Sequence, residues 1–150
     1  MSEYPREDKP LAVSLSDNTL ISGLVNIAGR TTQEVLEDEG PDLVLYDAQD
    51  GDGMPLKTVF IGKDRILWIA PDGEAVKPEA GSLLKQVKFR LAGGQVLTGK
   101  VEISGFDRLS DYFHARRERF YKVLEASLMD RTYDVLYLGI QQVLWKEPVD

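Results

Sequence analysis

Cysteine is absent from this 150-residue chain, and histidine occurs once, at His114. The first absence excludes disulfides and thiolate metal sites and leaves the redox compartment unmarked. The second leaves no spare base for a Ser-His-Asp arrangement and no histidine cluster for a metal. No apolar run is long enough to cross a bilayer, and the N-terminus lacks the apolar segment of a signal peptide. A cytoplasmic location is therefore expected. Neither a phosphate loop nor a dinucleotide fingerprint is present. Carboxylates are plentiful, yet no pair stands at a spacing that marks acid–base work. These gaps point to a protein that is not an enzyme and needs no cofactor. Basic residues are in the minority, 18 against 25 acidic for a net charge of −7, so phosphates would meet a repulsive long-range field.

What the chain has is the same line written twice. Residues 57–71 read KTVFIGKDRILWIAP and residues 134–148 read DVLYLGIQQVLWKEP. Trp68 and Trp145 stand 77 residues apart, as do Pro71 and Pro148. Upstream, ISGLVNIAG (21–29) matches LTGKVEISG (97–105), and YDA (46–48) matches LEA (124–126). Three blocks in one order with nearly constant offset identify a duplication. The first copy covers residues 11–73 and the second 84–150. Residues 1–10 are polar with two prolines and are expected to form a flexible tail. A linker rich in glycine, proline and charge is expected over 74–83. Each copy is near the lower size limit for an independent core, so the copies are expected to pack on each other or on copies in another chain.

Each copy reads as a meander of about five short strands. Ile21, Gly23, Val25 and Ile27 share one face at period two, as do Leu97, Gly99, Val101 and Ile103. A glycine at the same place in both strands predicts a bend or bulge. Asp17-Asn18 and Gly93-Gly94 precede these strands and read as two-residue hairpin turns. DLVLYDA (42–48) and FYKVLEA (120–126) are further strands, followed by TVFIG and RILWIA with their partners in the second copy. A short helix is expected within 29–40 and within 105–120, with Thr32 and Ser110 as N-caps. Trp68 and Trp145 are read as packing residues of the core or of the contact between copies.

A hairpin, a bent strand containing glycine, D-L-V-L-x-D-A over Asp42–Ala48, and VFIGKDRILWIAP over Val59–Pro71 together resemble an Sm-like (LSm) barrel. The second copy resembles the same family through VLTGKVEISGFD and its closing strands. The resemblance implies a mainly β protein of two tandem, bent, five-stranded Sm-like or SH3-like barrels, each with a short helical insertion. That family reads RNA bases through an asparagine before the L-V-L strand and an Arg-Gly pair in the last hairpin. Here the corresponding residues are Asp42 and Gly62-Lys63-Asp64, and in the second copy Phe120 and Gly139-Ile140-Gln141. The expected role is therefore an interaction or assembly module, with a protein partner or self-association and no membrane.

The competing function is RNA binding through HARRERFYK, residues 114–122. Arg116, Arg117, Arg119 and Lys122 stand there beside Phe120 and Tyr121, a mixture that grips phosphate and stacks bases. We favour a solvated helix end followed by a strand whose aromatics enter the core, since charge runs are usually solvated faces. A third use of these arginines is an interface with the acidic LEDEGPD (36–42) of a neighbouring copy. The loop 47–55 carries Asp47, Asp50 and Asp52, but Met54 stands at the next calcium-loop position and no distal glutamate follows, so it reads as a hairpin loop.

Overall fold

The structure is a computed structural model that describes residues 5–73, 83–103, 108–115 and 119–149. The first repeat contributes β1 (Asp8–Leu15), β2 (Leu20–Asn26), α1 (Thr32–Glu37), β3 (Asp42–Asp50), β4 (Pro55–Gly62) and β5 (Ile66–Pro71). The second contributes β6 (Leu84–Leu91), β7 (Val96–Glu102), α2 (Leu109–Ala115), β8 (Phe120–Leu128), β9 (Arg131–Gly139) and β10 (Val143–Pro148). A 3₁₀ turn, Lys63–Arg65 in one repeat and Ile140–Gln142 in the other, separates the last two strands. The expected element order is thus present twice.

Among the described residues ten strands form one antiparallel sheet, in the order β10-β6-β7-β8-β9-β5-β1-β2-β3-β4. Each repeat keeps the same internal order, with its fifth strand beside its first and its fourth at the opposite side. The sheet is continuous because β5 pairs with β9, a contact the repeat pattern does not announce.

The bend expected at the paired glycines is present. Register shifts fall between Ser22 and Leu24 and between Thr98 and Lys100. A Cβ on Gly23 would sit 3.0 Å from the Tyr46 carbonyl, and one on Gly99 would meet Val123 and the Leu124 carbonyl. Across from them, Asp47 and Glu125 take left-handed φ of 49° and 47°. Glycine is needed here for close approach of a bulged neighbour strand rather than for its own dihedrals.

Four local expectations are corrected. The hairpins carry three-residue loops, closed by Leu15 N–H to the Thr19 carbonyl at 2.9 Å and Leu91 N–H to the Gln95 carbonyl at 2.9 Å. Thr31, not Thr32, caps α1: its hydroxyl accepts from Glu34 N–H at 3.1 Å while Glu34 accepts from Thr31 N–H at 3.0 Å. This reciprocal box leaves Thr32 buried in the first turn. Ser110 lies inside α2. Finally, β1 begins at Asp8, within the stretch expected as tail, because Asp8 pairs with Asn26 and Ile27 donates to the Glu7 carbonyl at 2.8 Å. The expected linker lies almost wholly outside the described residues.

Two apolar clusters fill the fold, and each borrows from the other repeat. The first takes Phe120, Leu124, Val135 and Tyr137 from the second repeat. The second takes Leu67, Trp68 and Ala70 from the first. Along β9 the assignment alternates, Val135 and Tyr137 to one cluster, Leu136 and Leu138 to the other, as the strand pleat requires. No helix among the described residues is long and apolar enough to cross a membrane.

Candidate assembly interface

The junction of the repeats shows what these strand edges do when covered. In β5·β9, Trp68 lies opposite Leu138 and Ile69 opposite Tyr137. The Trp68 ring packs against Tyr133 with centroids 5.9 Å apart. Gly139 lies against the Ile66 carbonyl so closely that no Cβ would fit. The 3₁₀ turns touch as well, Gln142 Nε2 donating to the Asp64 carbonyl at 2.6 Å. At the hairpin tips, Gln95 Nε2 donates to Asn18 Oδ1 at 3.3 Å. Only two residue pairs define the ladder, and side chains from both faces complete the contact.

A second tie joins the C-terminal end of α1 and the loop after it to the start of β8. Glu37 accepts from both Arg119 N–H (2.8 Å) and Phe120 N–H (3.0 Å). The Arg119 guanidinium donates to the carbonyls of Gly40 (2.9 Å) and Glu39 (3.5 Å). The acidic stretch 36–42 and the arginine-rich stretch thus do meet, but within one chain and largely through backbone groups. Charge-assisted hydrogen bonds contribute roughly 1.5–3 kcal/mol each when buried. Glu37 is half-exposed, so Glu37→Ala should lower stability by about 2 kcal/mol in urea unfolding. An unchanged midpoint would show that water replaces the carboxylate without loss.

The two outer edges of the sheet are β4 and β10, the counterparts of β9 and β5. Their residues are the exposed versions of the buried junction. Tyr137 is 2% exposed and its counterpart Phe60 is 67%. Leu67 and Trp68 are 0% and 8% exposed, whereas Leu144 and Trp145 are 64% and 45%. The equal reading of the two tryptophans is therefore corrected: one is covered by β9, while Trp145 is exposed, with the Lys88 ammonium over its ring 5.9 Å from the centroid.

Of the basic–aromatic patch, the structure describes His114, Arg119, Phe120, Tyr121 and Lys122. Arg116 and Arg117 lie outside the described residues. Arg119 is engaged by the loop after α1 as above. Tyr121 is buried between Phe89 and Phe113, with centroids at 5.8 and 5.4 Å, so its ring is no platform for a base. Lys122 is half-buried in β8 opposite Tyr137. His114 is exposed on α2. In the 47–55 loop, Asp50 Oδ1 accepts from Asp52 N–H at 2.9 Å and Met54 N–H at 3.0 Å, a turn-closing role. Among the described residues no group of three or more His, Cys, Asp or Glu is placed to hold a metal ion. A groove of about 510 Å³ runs beside the junction, walled by Pro10, Ala12, Leu24, Ala70, Pro71 and Tyr133. Asp47 and Asp72 also line it.

One signal for the junction was available in the sequence. ILWIA and VLYLG are apolar without alternation, the pattern of a strand buried on both faces. The counterpart of ILWIA, VLWKE, carries Lys146 and Glu147 and is less apolar, whereas TVFIG is nearly as apolar as VLYLG, so the pattern separates the fifth strands but not the fourth. No known family model matches the chain, and neither a curated protein nor a solved structure matches it.

Proposed function

We propose that this protein is a non-enzymatic assembly module, built from two tandem Sm-like β-barrels that associate through their strand edges. One observation carries the reading: the edges buried in β5·β9 recur at both ends of the sheet, unpaired and bearing Phe60, Leu144 and Trp145. Long exposed edges with apolar side chains invite further pairing, and proteins that must stay single blunt them. Fully burying a Phe or Leu side chain contributes roughly 1.5–3 kcal/mol, enough for a few such residues to hold a contact. The barrel assignment is supported by the shared strand order of the repeats and by a glycine bulge in the second strand of each.

Light scattering on the eluting protein, with absorbance read at two wavelengths, tests the proposal. A mass above that of one chain, rising with concentration and free of nucleic acid, is the expected result. Nucleic acid eluting with the protein would favour RNA binding instead. A single-chain mass at every concentration would defeat the assembly reading.

A further inference from the structure

The chain carries both halves of its internal junction a second time, one at each end of the sheet. The junction is not self-complementary: a fifth strand, β5, meets a fourth strand, β9. A contact of this kind always leaves one fifth strand and one fourth strand over, here β10 and β4. We infer that a second copy of this chain docks its β10 on β4 of the first, head to tail, in the register of β5·β9. Trp145 then lies opposite Ile61 and Lys146 opposite Phe60. This inference rests on the assembly reading and adds its polarity, its register and the identity of the partner.

Three observations specify it. The first is the match of side chains: Phe60 and Ile61 stand where Tyr137 and Leu138 stand in the covered edge, and Leu144 and Trp145 where Leu67 and Trp68 stand. The second is Gly62. Its backbone, at φ −60° and ψ 120°, suits any residue. Among the described residues a Cβ there would meet only the Arg65 side chain at 3.7 Å, so none of them requires glycine at this position. Its counterpart Gly139 is pressed against the Ile66 carbonyl. A docked β10 would bring the Val143 carbonyl to Gly62 in the same way. The third is the position of the prolines. Pro55 and Pro148 sit at the outer ends of their strands and leave the two central pairs free to form, the same number that β5·β9 uses.

The inter-chain junction is also more polar than the internal one. Lys146 and Glu147 replace Ile69 and Ala70, and a lysine faces an aromatic ring where Ile69 faced Tyr137. The assembly therefore dissociates on dilution, whereas β5·β9 is held within the chain.

The absence of cysteine makes the test clean. Phe60→Cys and Lys146→Cys are made separately at exposed positions. Because Lys146→Cys also takes the ammonium from over the Phe113 and Tyr121 rings, 4.8 and 5.6 Å from their centroids, urea unfolding of each variant is compared with the parent. Paired antiparallel residues lie about 4.5–5.5 Å apart at Cα, within reach of a disulfide. Mixed one to one and oxidised, the two variants should give a covalent dimer; each alone should give none. Dimers of either single variant alone, without the mixed product, would mean β4·β4 or β10·β10 pairing, overturning the head-to-tail docking but leaving the assembly reading intact. Gly62→Ala should unfold like the parent at high dilution yet require at least tenfold more protein to assemble. Unchanged assembly of Gly62→Ala would overturn the proposed register. A single-chain mass for the parent at every concentration would defeat both the assembly reading and this inference.

Discussion

Gly139→Ala should destabilise the single chain by about 3 kcal/mol, while Gly62→Ala should leave its stability unchanged or slightly raised. The two glycines occupy the same place in the two repeats and have almost the same backbone, φ −65° and ψ 115° against φ −60° and ψ 120°. Neither conformation needs glycine. The difference is therefore the neighbour. At Gly139 the added methyl meets the Ile66 carbonyl, which is backbone and moves only if β5 moves. Overpacking of a tight contact typically costs 1–3 kcal/mol, and an unyielding backbone neighbour places this site near the top of that range. At Gly62 the nearest atom is a flexible arginine carbon at 3.7 Å. Removing glycine there also narrows the unfolded ensemble, a small gain. For a chain of this size the Gly139 effect corresponds to roughly 6–12 °C in melting temperature. Thermal unfolding of both variants at high dilution is the measurement. Equal melting temperatures would show that the repeats relax apart at the junction without cost.

That asymmetry marks where the sequence stops being legible. The duplication, the five strands per repeat and the glycine bulges all follow from period-two patterning and repeated glycine, which are local signals. The helix caps were misplaced by one position or more. Thr31 and Thr32 are adjacent hydroxyl residues, but only Thr31 has a glutamate three residues on, the spacing that the reciprocal bonds between Thr31 and Glu34 complete. The junction is harder still. A repeat offset of 77 residues assigns the same role to Trp68 and Trp145, and the one local sign of which fifth strand is covered is the Lys146-Glu147 pair in place of Ile69-Ala70. The burial of β5 and β9 on both faces follows from a choice between edges separated by most of the chain. The tie from Glu37 to the amides of Arg119 and Phe120 spans 82 and 83 residues. Charge complementarity suggested that those stretches attract. It could not show that a carboxylate would cap backbone amides, because sequence patterns do not display unpaired N–H groups.

Lys63 presents the opposite case, a residue with no counterpart in the second repeat, where Ile140 stands. Its side chain is buried, and Nζ donates to Asp38 Oδ1 at 2.7 Å, the Asp38 carbonyl at 3.1 Å and the Val35 carbonyl at 3.4 Å. The ammonium thus closes the C-terminal end of α1, where carbonyls lack helical partners. Lys63→Met keeps the apolar stem and removes those donors. Breaking a buried ion pair costs about 3–5 kcal/mol, but Asp38 is partly exposed and can turn to water, so about 2 kcal/mol is expected near neutral pH. The loss should depend on pH. The Lys63 hydrogen bond holds the Asp38 carboxyl below its ordinary 3.8, against the opposing effect of burial and with help from the Gly40 amide, the charge of Lys63 and Arg30. A carboxyl with a lowered folded pKa contributes stability that is complete above its unfolded value and disappears as pH falls through the folded value. The parent should therefore lose its advantage over Lys63→Met in acid, with the gap narrowing below about pH 4. Urea unfolding of both proteins across that range reads the gap directly. A gap that persists undiminished in acid would assign the stabilisation to the two carbonyls instead. Because Glu37 ends α1 and Asp38 caps it, Lys63→Met combined with Glu37→Ala should cost less than the two changes taken separately. Once either tie is released, this end of the helix no longer holds the other in place.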